Sequence, residues 1–180
     1  MGPRVAAVVE QSWHRVPGGT ATSTIRTLDA VARYTDIELV GLAARHREPA
    51  PTDLAPTIPV EHLPLSRLAL YEAWHRLRRP AVTRWTGPID VVHATGGVMP
   101  PRSGAALVAT IHDLAFLHRP EQFTKRGVSF MTRSLELAKV EADLVIVPSE
   151  ATAKDCRHAG IEQGQLRVIP WGCQPVVIAE

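Results

Sequence analysis

Short apolar runs alternate with longer amphipathic stretches along this chain. Runs such as Ala105–Ile111 and Leu144–Val147 are apolar at consecutive positions, as in strands that are covered on both faces of a sheet. The longer stretches carry apolar residues at i, i+3 and i+4, the spacing of a helix with one buried face. This alternation is typical of a parallel sheet with helices packed on it. The predicted strands are Arg4–Glu10, Asp36–Ala43, Val60–Leu63, Ile89–His93, Ala105–Ile111, Leu144–Val147 and Leu166–Ile169.

Four longer helices are predicted between these strands. In the first of them, Ile25, Leu28 and Val31 share one face. The segment from Pro49 to Pro59 is predicted to be a loop, because its prolines remove backbone donors and disfavour helix in their neighbours. The order of elements predicts an α/β fold, Rossmann-like and doubly wound, with a mostly parallel sheet and helices on both faces. The predicted helices are Ala21–Tyr34, Leu68–Arg79, Gly127–Glu141 and Glu150–Ala159.

Composition and charge narrow the class of protein. The 180 residues are 45% hydrophobic and 21% charged, enough to bury one sizeable core. The net charge is only +2, whereas a nucleic-acid binder concentrates more positive charge on one face, so no nucleic-acid partner is expected. Cys156 and Cys173 show neither zinc-ligand nor disulfide spacing, which favours a reducing, cytoplasmic protein without a structural metal. The apolar run Val5–Val9 is too short for a signal peptide or a membrane span.

The loop after the first strand is the first candidate binding segment. The carboxyl ends of parallel strands form a crevice where the chain direction reverses, and ligands bind there. Gly18 and Gly19 let a ligand approach the backbone, and Thr20, Thr22 or Ser23 can cap the following helix. This combination suits a phosphate or a sugar hydroxyl, although the glycine pair also fits an ordinary turn. No dinucleotide or P-loop fingerprint is present in the segment.

Two further loops should reach the same edge. Gly96 and Gly97 follow a strand that ends at His93, which is interpreted as a partly buried strand residue rather than a catalyst. His112 and Asp113 end another strand, where the histidine can exchange hydrogen bonds near neutral pH and the aspartate can fix its tautomer or bind a hydroxyl. Histidines at strand ends also satisfy loop backbone in a purely structural way. The shared crevice favours the functional interpretation of His112.

Ser149 marks a fourth loop. It stands before Glu150 where a helix N-cap is expected, and capping accounts for it, with a ligand role as the second interpretation.

Taken in order, these features make the chain resemble the amino-terminal half of GT-B glycosyltransferases, in particular the large retaining family called GT4. The resemblance spans nearly the whole chain. The tryptophan of the last motif stands where asparagine is common in the family. The matching motifs are Pro17-Gly18-Gly19, Asp90-Val91-Val92-His93 with Gly96-Gly97, Thr110-Ile111-His112-Asp113, Ala142 to Glu150, and Val168-Ile169-Pro170-Trp171-Gly172.

The resemblance implies a function and roles for the candidate residues. In that family the amino-terminal domain mainly binds the acceptor, and a second domain mainly binds a nucleoside-diphosphate sugar. Gly18 and Gly19 would then approach the donor diphosphate or the acceptor, His112 would contact the transferred sugar, and Asp113 would support it. The implied reaction moves a sugar to an acceptor hydroxyl, with retention and without a metal or other cofactor. Thr20, Gly96, Gly97 and Ser149 complete the predicted substrate-binding set.

The domain boundaries and the alternatives follow from the same resemblance. Residues 1–172 are expected to form the amino-terminal domain and residues 173–180 the start of an interdomain linker, with the donor-binding domain absent and the isolated half inactive. One alternative is half of a sugar-nucleotide epimerase of the same architecture. The other is a non-catalytic module that binds a sugar or nucleotide. The basic cluster Arg76, Arg78 and Arg79 is either a solvated helix face or a contact with the inner membrane surface.

Overall fold

The computed structural model describes residues 2–172 and shows an α/β fold. All the predicted strands are present, and their bounds differ from the predicted ones by two residues at most. The strands are β1 Arg4–Val8, β2 Glu38–Ala43, β3 Val60–His62, β4 Val91–Ala94, β5 Ala106–Thr110, β6 Leu144–Val147 and β7 Leu166–Val168.

The strands form one sheet with the order β3-β2-β1-β4-β5-β6-β7 within the described part of the chain. Each neighbouring pair is parallel, so the sheet is wholly parallel rather than mostly parallel. The chain winds outward from β1 to β3 and then returns to place β4 on the other side of β1. The strand order therefore reverses between β1 and β4, where doubly wound folds form their ligand crevice. The doubly wound, Rossmann-like prediction is confirmed.

The helices differ from the predicted ones mainly at their ends. The first helix begins at Gly18, before the predicted Ala21, and the second changes to a wider π-type turn over Ala73–Leu77. Two single-turn helices, Thr83–Thr86 and Ala115–His118, were not predicted because they are too short to show a helical period. The helices are α1 Gly18–Tyr34, α2 Arg67–Glu72, α3 Thr83–Thr86, α4 Ala115–His118, α5 Lys125–Glu141 and α6 Glu150–His158.

The core has two parts, one on each face of the sheet. Successive side chains of a strand point to opposite faces, and β1 shows this directly. Ala6 and Val8 belong to the larger cluster, which also contains residues of α5 and α6, whereas Ala7 belongs to a smaller cluster with Ile25 and Leu28 of α1. Helices on both faces are therefore required to cover the apolar strands. This arrangement leaves the carboxyl edge of the sheet to the connecting loops.

The predicted domain, residues 1–172, includes all of the described residues. The predicted linker, residues 173–180, lies outside them.

Candidate functional site

Three of the four candidate loops meet because β1, β4 and β5 are neighbours in the sheet. Their carboxyl ends surround a cleft of about 430 Å³, within the usual size range of small-molecule sites. The predicted residues Thr20, Gly96, Gly97, His112 and Asp113 all line it. The structure therefore brings residues from these loops to one place, as the parallel topology predicts.

Gly96 is where the loops approach most closely. A Cβ atom at this position would lie 2.7 Å from Cγ2 of Thr20, 3.0 Å from Nε2 of Gln11 and 3.5 Å from Nε2 of His112. A side chain at this position would displace Thr20 and Gln11, whereas its distance to His112 is an ordinary contact. Gly97, which follows, has a φ of +70°, a conformation that glycine adopts without strain. The glycine pair is thus needed for a close approach as well as for a turn.

His112 is held by the backbone of the neighbouring loop. Its Nε2 lies 2.9 Å from the carbonyl oxygen of Thr95. Since a carbonyl only accepts, Nε2 carries the proton and Nδ1 is left as the other ring nitrogen for a ligand. The ring also lies against Trp171, with 5.4 Å between the ring centroids. The tryptophan that replaces the family's common asparagine is therefore part of the surroundings of His112.

Asp113 does not take the tautomer-fixing part suggested by the sequence. Its Oδ1 accepts a hydrogen bond from the backbone N–H of Ala115 at 2.9 Å, an Asx turn that leads into the short helix α4. The Thr95 carbonyl sets the tautomer of His112 instead. Asp113 is exposed beside the cleft, so binding of a ligand hydroxyl stays a prediction for it.

The start of α1 corrects the predicted cap. The helix begins at Gly18, which has a φ of +60°, and Pro17 precedes it without a side-chain cap. Thr20 therefore lies inside the first turn, and its predicted capping role is wrong. Ser23 is also inside the helix, where its hydroxyl donates to the carbonyl of Thr20 at 3.1 Å. A Cβ atom on Gly19 would meet nothing within 4 Å, so the backbone here is open to a ligand.

Ser149 is confirmed as the N-cap of α6. Its hydroxyl accepts from the backbone N–H of Thr152 at 3.1 Å. The Thr152 hydroxyl in turn donates to the carbonyl of His112 at 3.4 Å. Ser149 thus contacts the residue that supports the His112 loop, and a direct ligand contact stays a prediction.

His93 has the structural role expected from its position near the end of β4. Its Nε2 lies 2.9 Å from the hydroxyl of Thr110. Burial, and secondarily the charge of His112, lowers the pKa of His93 to about 4. The ring is therefore neutral at ordinary pH, and its contact with Thr110 links β4 to β5.

Sequence reasoning missed a polar cluster directly after β1. Glu10 is 1% exposed, and its carboxylate accepts from the backbone N–H of Ala44 at 2.7 Å and contacts Nε2 of His46 at 3.0 Å. His14, which lines the cleft, lies 3.4 Å from the hydroxyl of Tyr71. Burial, followed by the charge of Arg67, lowers the pKa of His14. Glu10 lies in a 3₁₀ turn, Glu10–Trp13, and His14 follows that turn. For this segment the sequence predicted only a strand end and a loop.

The basic cluster proposed for membrane contact is only partly on the surface. Arg76 and Arg79 are exposed, but Arg78 turns inward and its charge is paired with Glu141 at 2.5 Å. Its guanidinium also donates to the carbonyl oxygens of Trp74, Met99 and Pro100. Arg78 therefore connects the end of the π-type turn to the loop after β4 and to α5, and its charge is not available to a membrane.

Within residues 2–172, no helix combines the length and apolarity needed to cross a bilayer. Over the same residues, no three His, Cys, Asp or Glu side chains are grouped so as to hold a metal ion.

Comparison with known proteins gives the family. A family model described as Glycosyltransferase Family 4 matches residues 17–175. The chain belongs to Glycosyltransferase Family 4. The match includes the segments of both glycine pairs, His112 and Ser149. No curated protein sequence matches this member of the family.

Solved structures agree on the fold of this Glycosyltransferase Family 4 member. Anabaena Alr3699/HepE in complex with UDP and glucose matches with a TM-score of 0.59 and 19% identity, over 96% of this chain and 45% of that chain. The same protein in complex with UDP-glucose matches with a TM-score of 0.55 and 17% identity. The chain thus spans less than half the length of HepE and has the fold of one half of a GT-B glycosyltransferase.

Proposed function

We propose that the chain is the amino-terminal, acceptor-side half of an enzyme that transfers a sugar from a nucleoside-diphosphate sugar to an acceptor hydroxyl. The observation that carries this proposal is the convergence of Thr20, Gly96 and His112 on one cleft at the switch point of the sheet. Membership of Glycosyltransferase Family 4 and the fold shared with HepE, which was solved with UDP and glucose, support it. A donor-binding domain beyond these residues would complete the active site, so the half alone is expected to be inactive.

His112 is proposed to bind the transferred sugar. With the Nε2 proton donated to Thr95, Nδ1 is free to accept a hydrogen bond from a sugar hydroxyl. We propose that His112 orients and polarises the sugar in this way, the role that the resemblance to retaining glycosyltransferases implies, and does not act as a free base. The Thr152 hydroxyl donates a hydrogen bond to the backbone carbonyl of His112, and the Trp171 ring packs against the imidazole. Both contacts favour one orientation of the imidazole. Catalysis then depends mainly on positioning the reactants.

The first turn of α1 is proposed to stabilise the leaving diphosphate. The backbone N–H groups of Gly18, Gly19 and Thr20, at the amino terminus of this 17-residue helix, have no hydrogen-bond partner within the helix. Such helix amino termini attract anions. Gly19 carries no side chain that would keep a phosphate away from these groups. Such stabilisation of developing charge needs no metal, and we propose a metal-independent reaction with retention. The nucleotide sugar is the substrate, and no other cofactor is proposed.

The test is transfer by the native polypeptide as its source cells produce it. It is incubated with a panel of nucleotide sugars that includes UDP-glucose, with and without a panel of simple methyl glycosides as acceptors. We expect nucleoside-diphosphate release and a glycosylated product only when an acceptor is present. Epimerised sugar nucleotide without acceptor would support the epimerase instead. Binding without any turnover would support a non-catalytic module.

The cellular location is a separate proposal. We propose a cytoplasmic enzyme, with Arg76 and Arg79 as the remaining exposed residues for contact with the inner membrane face. Sedimentation of the native polypeptide with anionic vesicles tests this contact, and equal recovery with neutral vesicles would contradict it.

A further inference from the structure

Three consecutive polar side chains are buried immediately after β1. Glu10, Gln11 and Ser12 are 1%, 3% and 1% exposed. Burial of a polar group costs free energy unless a hydrogen bond replaces the lost water. Glu10 is fully engaged by Ala44 and His46, so it needs no further partner. The other two each leave an oxygen without a protein partner among the described residues.

The amide of Gln11 has a fixed orientation. Its Nε2 donates to the carbonyl oxygen of Gly96 at 3.0 Å. A carbonyl cannot donate, so the reversed orientation of the amide would bring two acceptors together. Oε1 is therefore the atom left over, and it is a buried acceptor without a partner in residues 2–172.

The position of Gln11 connects this oxygen to the cleft. Gln11 lines the cleft together with Thr20 and His112. All three side chains are also the ones that approach Gly96 most closely. The side chains of Gln11 and His112 thus border the same cleft, and Oε1 of Gln11 is a buried acceptor beside it without a protein partner among the described residues. An acceptor in this position is complementary to a ligand hydroxyl group.

The Ser12 hydroxyl is a different case. It lines a separate groove with Trp13, His46 and Pro49. Its unpaired oxygen therefore gives no information about the cleft, and Gln11 alone carries the inference.

We propose that Gln11 is a specificity-determining residue that accepts a hydrogen bond from one ring hydroxyl of the sugar bound in the cleft. The proposal rests on the glycosyltransferase function proposed above. The hydroxyl belongs either to the transferred sugar of the donor or to the acceptor sugar, because both present the same chemistry. A sugar that lacks this hydroxyl would leave a buried oxygen unpaired and would be rejected.

The test is a substrate-by-variant cycle on the native polypeptide. Gln11→Met keeps the length and volume of the side chain but removes the amide. Wild type and variant are compared on the parent substrates, on deoxy analogues of the donor sugar and on deoxy analogues of the acceptor. Gln163→Met is the matched control, since Gln163 is exposed and its amide oxygen accepts a hydrogen bond from the surface residue Arg157.

We expect Gln11→Met to lower kcat/KM on the parent substrates by about 3- to 10-fold, as for loss of one neutral hydrogen bond. One deoxy analogue should abolish the difference between wild type and variant. A deoxy donor with this effect assigns the hydroxyl to the transferred sugar, and a deoxy acceptor assigns it to the acceptor. Gln163→Met should match wild type throughout.

Two results would overturn the proposal. An equal loss on every substrate would mean that Gln11 only holds Gly96 in place, and no loss at all would mean that Oε1 contacts no substrate. A wild-type protein that transfers no sugar from any nucleotide sugar would instead refute the proposed function, and the role of Gln11 with it. Wild type is assayed first, so the two failures are distinguished.

Discussion

The Nε2 atom of His112 lies 2.9 Å from the carbonyl oxygen of Thr95. This hydrogen bond joins the loop after β5 to the loop after β4, next to the position between β1 and β4 where the strand order reverses. It assigns the ring proton to Nε2. The backbone, rather than the adjacent Asp113, therefore sets the tautomer of this histidine.

Replacement of His112 should separate catalysis from folding. For His112→Ala in the native polypeptide, we expect turnover to fall by about a hundredfold or more, since an interaction with the reacting sugar is lost. The free energy of unfolding should change by only about 1 kcal/mol, the value of one hydrogen bond. Steady-state kinetics and denaturant unfolding measure the two effects. His118→Ala, at an exposed histidine paired with Asp155, is the control, and unchanged turnover in His112→Ala would refute the assignment.

A methyl group on Gly96 should disturb the meeting point of the three loops. In Gly96→Ala the new atom would lie 2.7 Å from Thr20 and 3.0 Å from Gln11, so these side chains must move. We expect a loss of about 1–3 kcal/mol in the free energy of unfolding, typical of overpacking, together with lower activity. Gly164→Ala is the matched control because a Cβ atom there meets nothing within 4 Å. Equal melting temperatures for the two variants would contradict the packing at Gly96.

Gly19 should respond in the opposite way. Its added methyl group has open space, so Gly19→Ala should stabilise α1 by about 0.5–1 kcal/mol. The same methyl group would hinder the approach of a phosphate, and we expect the KM for the nucleotide sugar to rise about tenfold. Thermal unfolding and donor-dependent kinetics give the two values. A stabilised variant with an unchanged KM would mean that the diphosphate does not approach this turn.

The buried histidine His75 predicts an acid-sensitive fold. Burial, followed by the charges of Arg78 and Arg133, lowers its pKa from 6.5 to about 4, and its Nε2 accepts the N–H of Met99. The folded protein therefore binds a proton on His75 less readily than the unfolded chain does. The contribution of neutral His75 to the free energy of unfolding is fully present above pH 6.5 and is lost as the pH falls toward 4.

Denaturant unfolding at several pH values between 4 and 7 tests this dependence. In His75→Gln the free energy of unfolding should change less steeply with pH over that range than in wild type. His158→Gln, at an exposed position, is the control and should show the same pH dependence as wild type. His93 adds a contribution of the same sign, since its pKa is also lowered to about 4. A His75→Gln slope equal to wild type would contradict a neutral, buried His75.

The sequence predicts the sheet and the meeting of the loops well. Apolar runs such as Leu144–Val147 are bounded by polar or turn residues, so strands and their ends can be read locally. Parallel strands end at one edge, which is why the glycine pairs and His112 can be expected together before the structure is known.

Features that depend on distant partners could not be predicted. Gln11 is placed beside the cleft by its hydrogen bond to Gly96, which is 85 residues away in the sequence. No local sequence pattern around Gln11 predicts this contact. Arg78 is one of several neighbouring arginines in the sequence, but contacts with Met99 and Glu141 turn it inward. The start of α1 was misplaced because Gly18 and Gly19 were assigned to a turn, whereas they form the first helical turn.

The most direct test of the account is acceptor-dependent sugar transfer by the native polypeptide, measured side by side for wild type and His112→Ala. We predict that a nucleotide sugar in the panel gives a glycosylated methyl glycoside with wild type, and that His112→Ala forms this product about a hundredfold more slowly or worse while remaining folded. Absence of product from every nucleotide sugar with wild type, or equal product formation by the two proteins, would contradict the account.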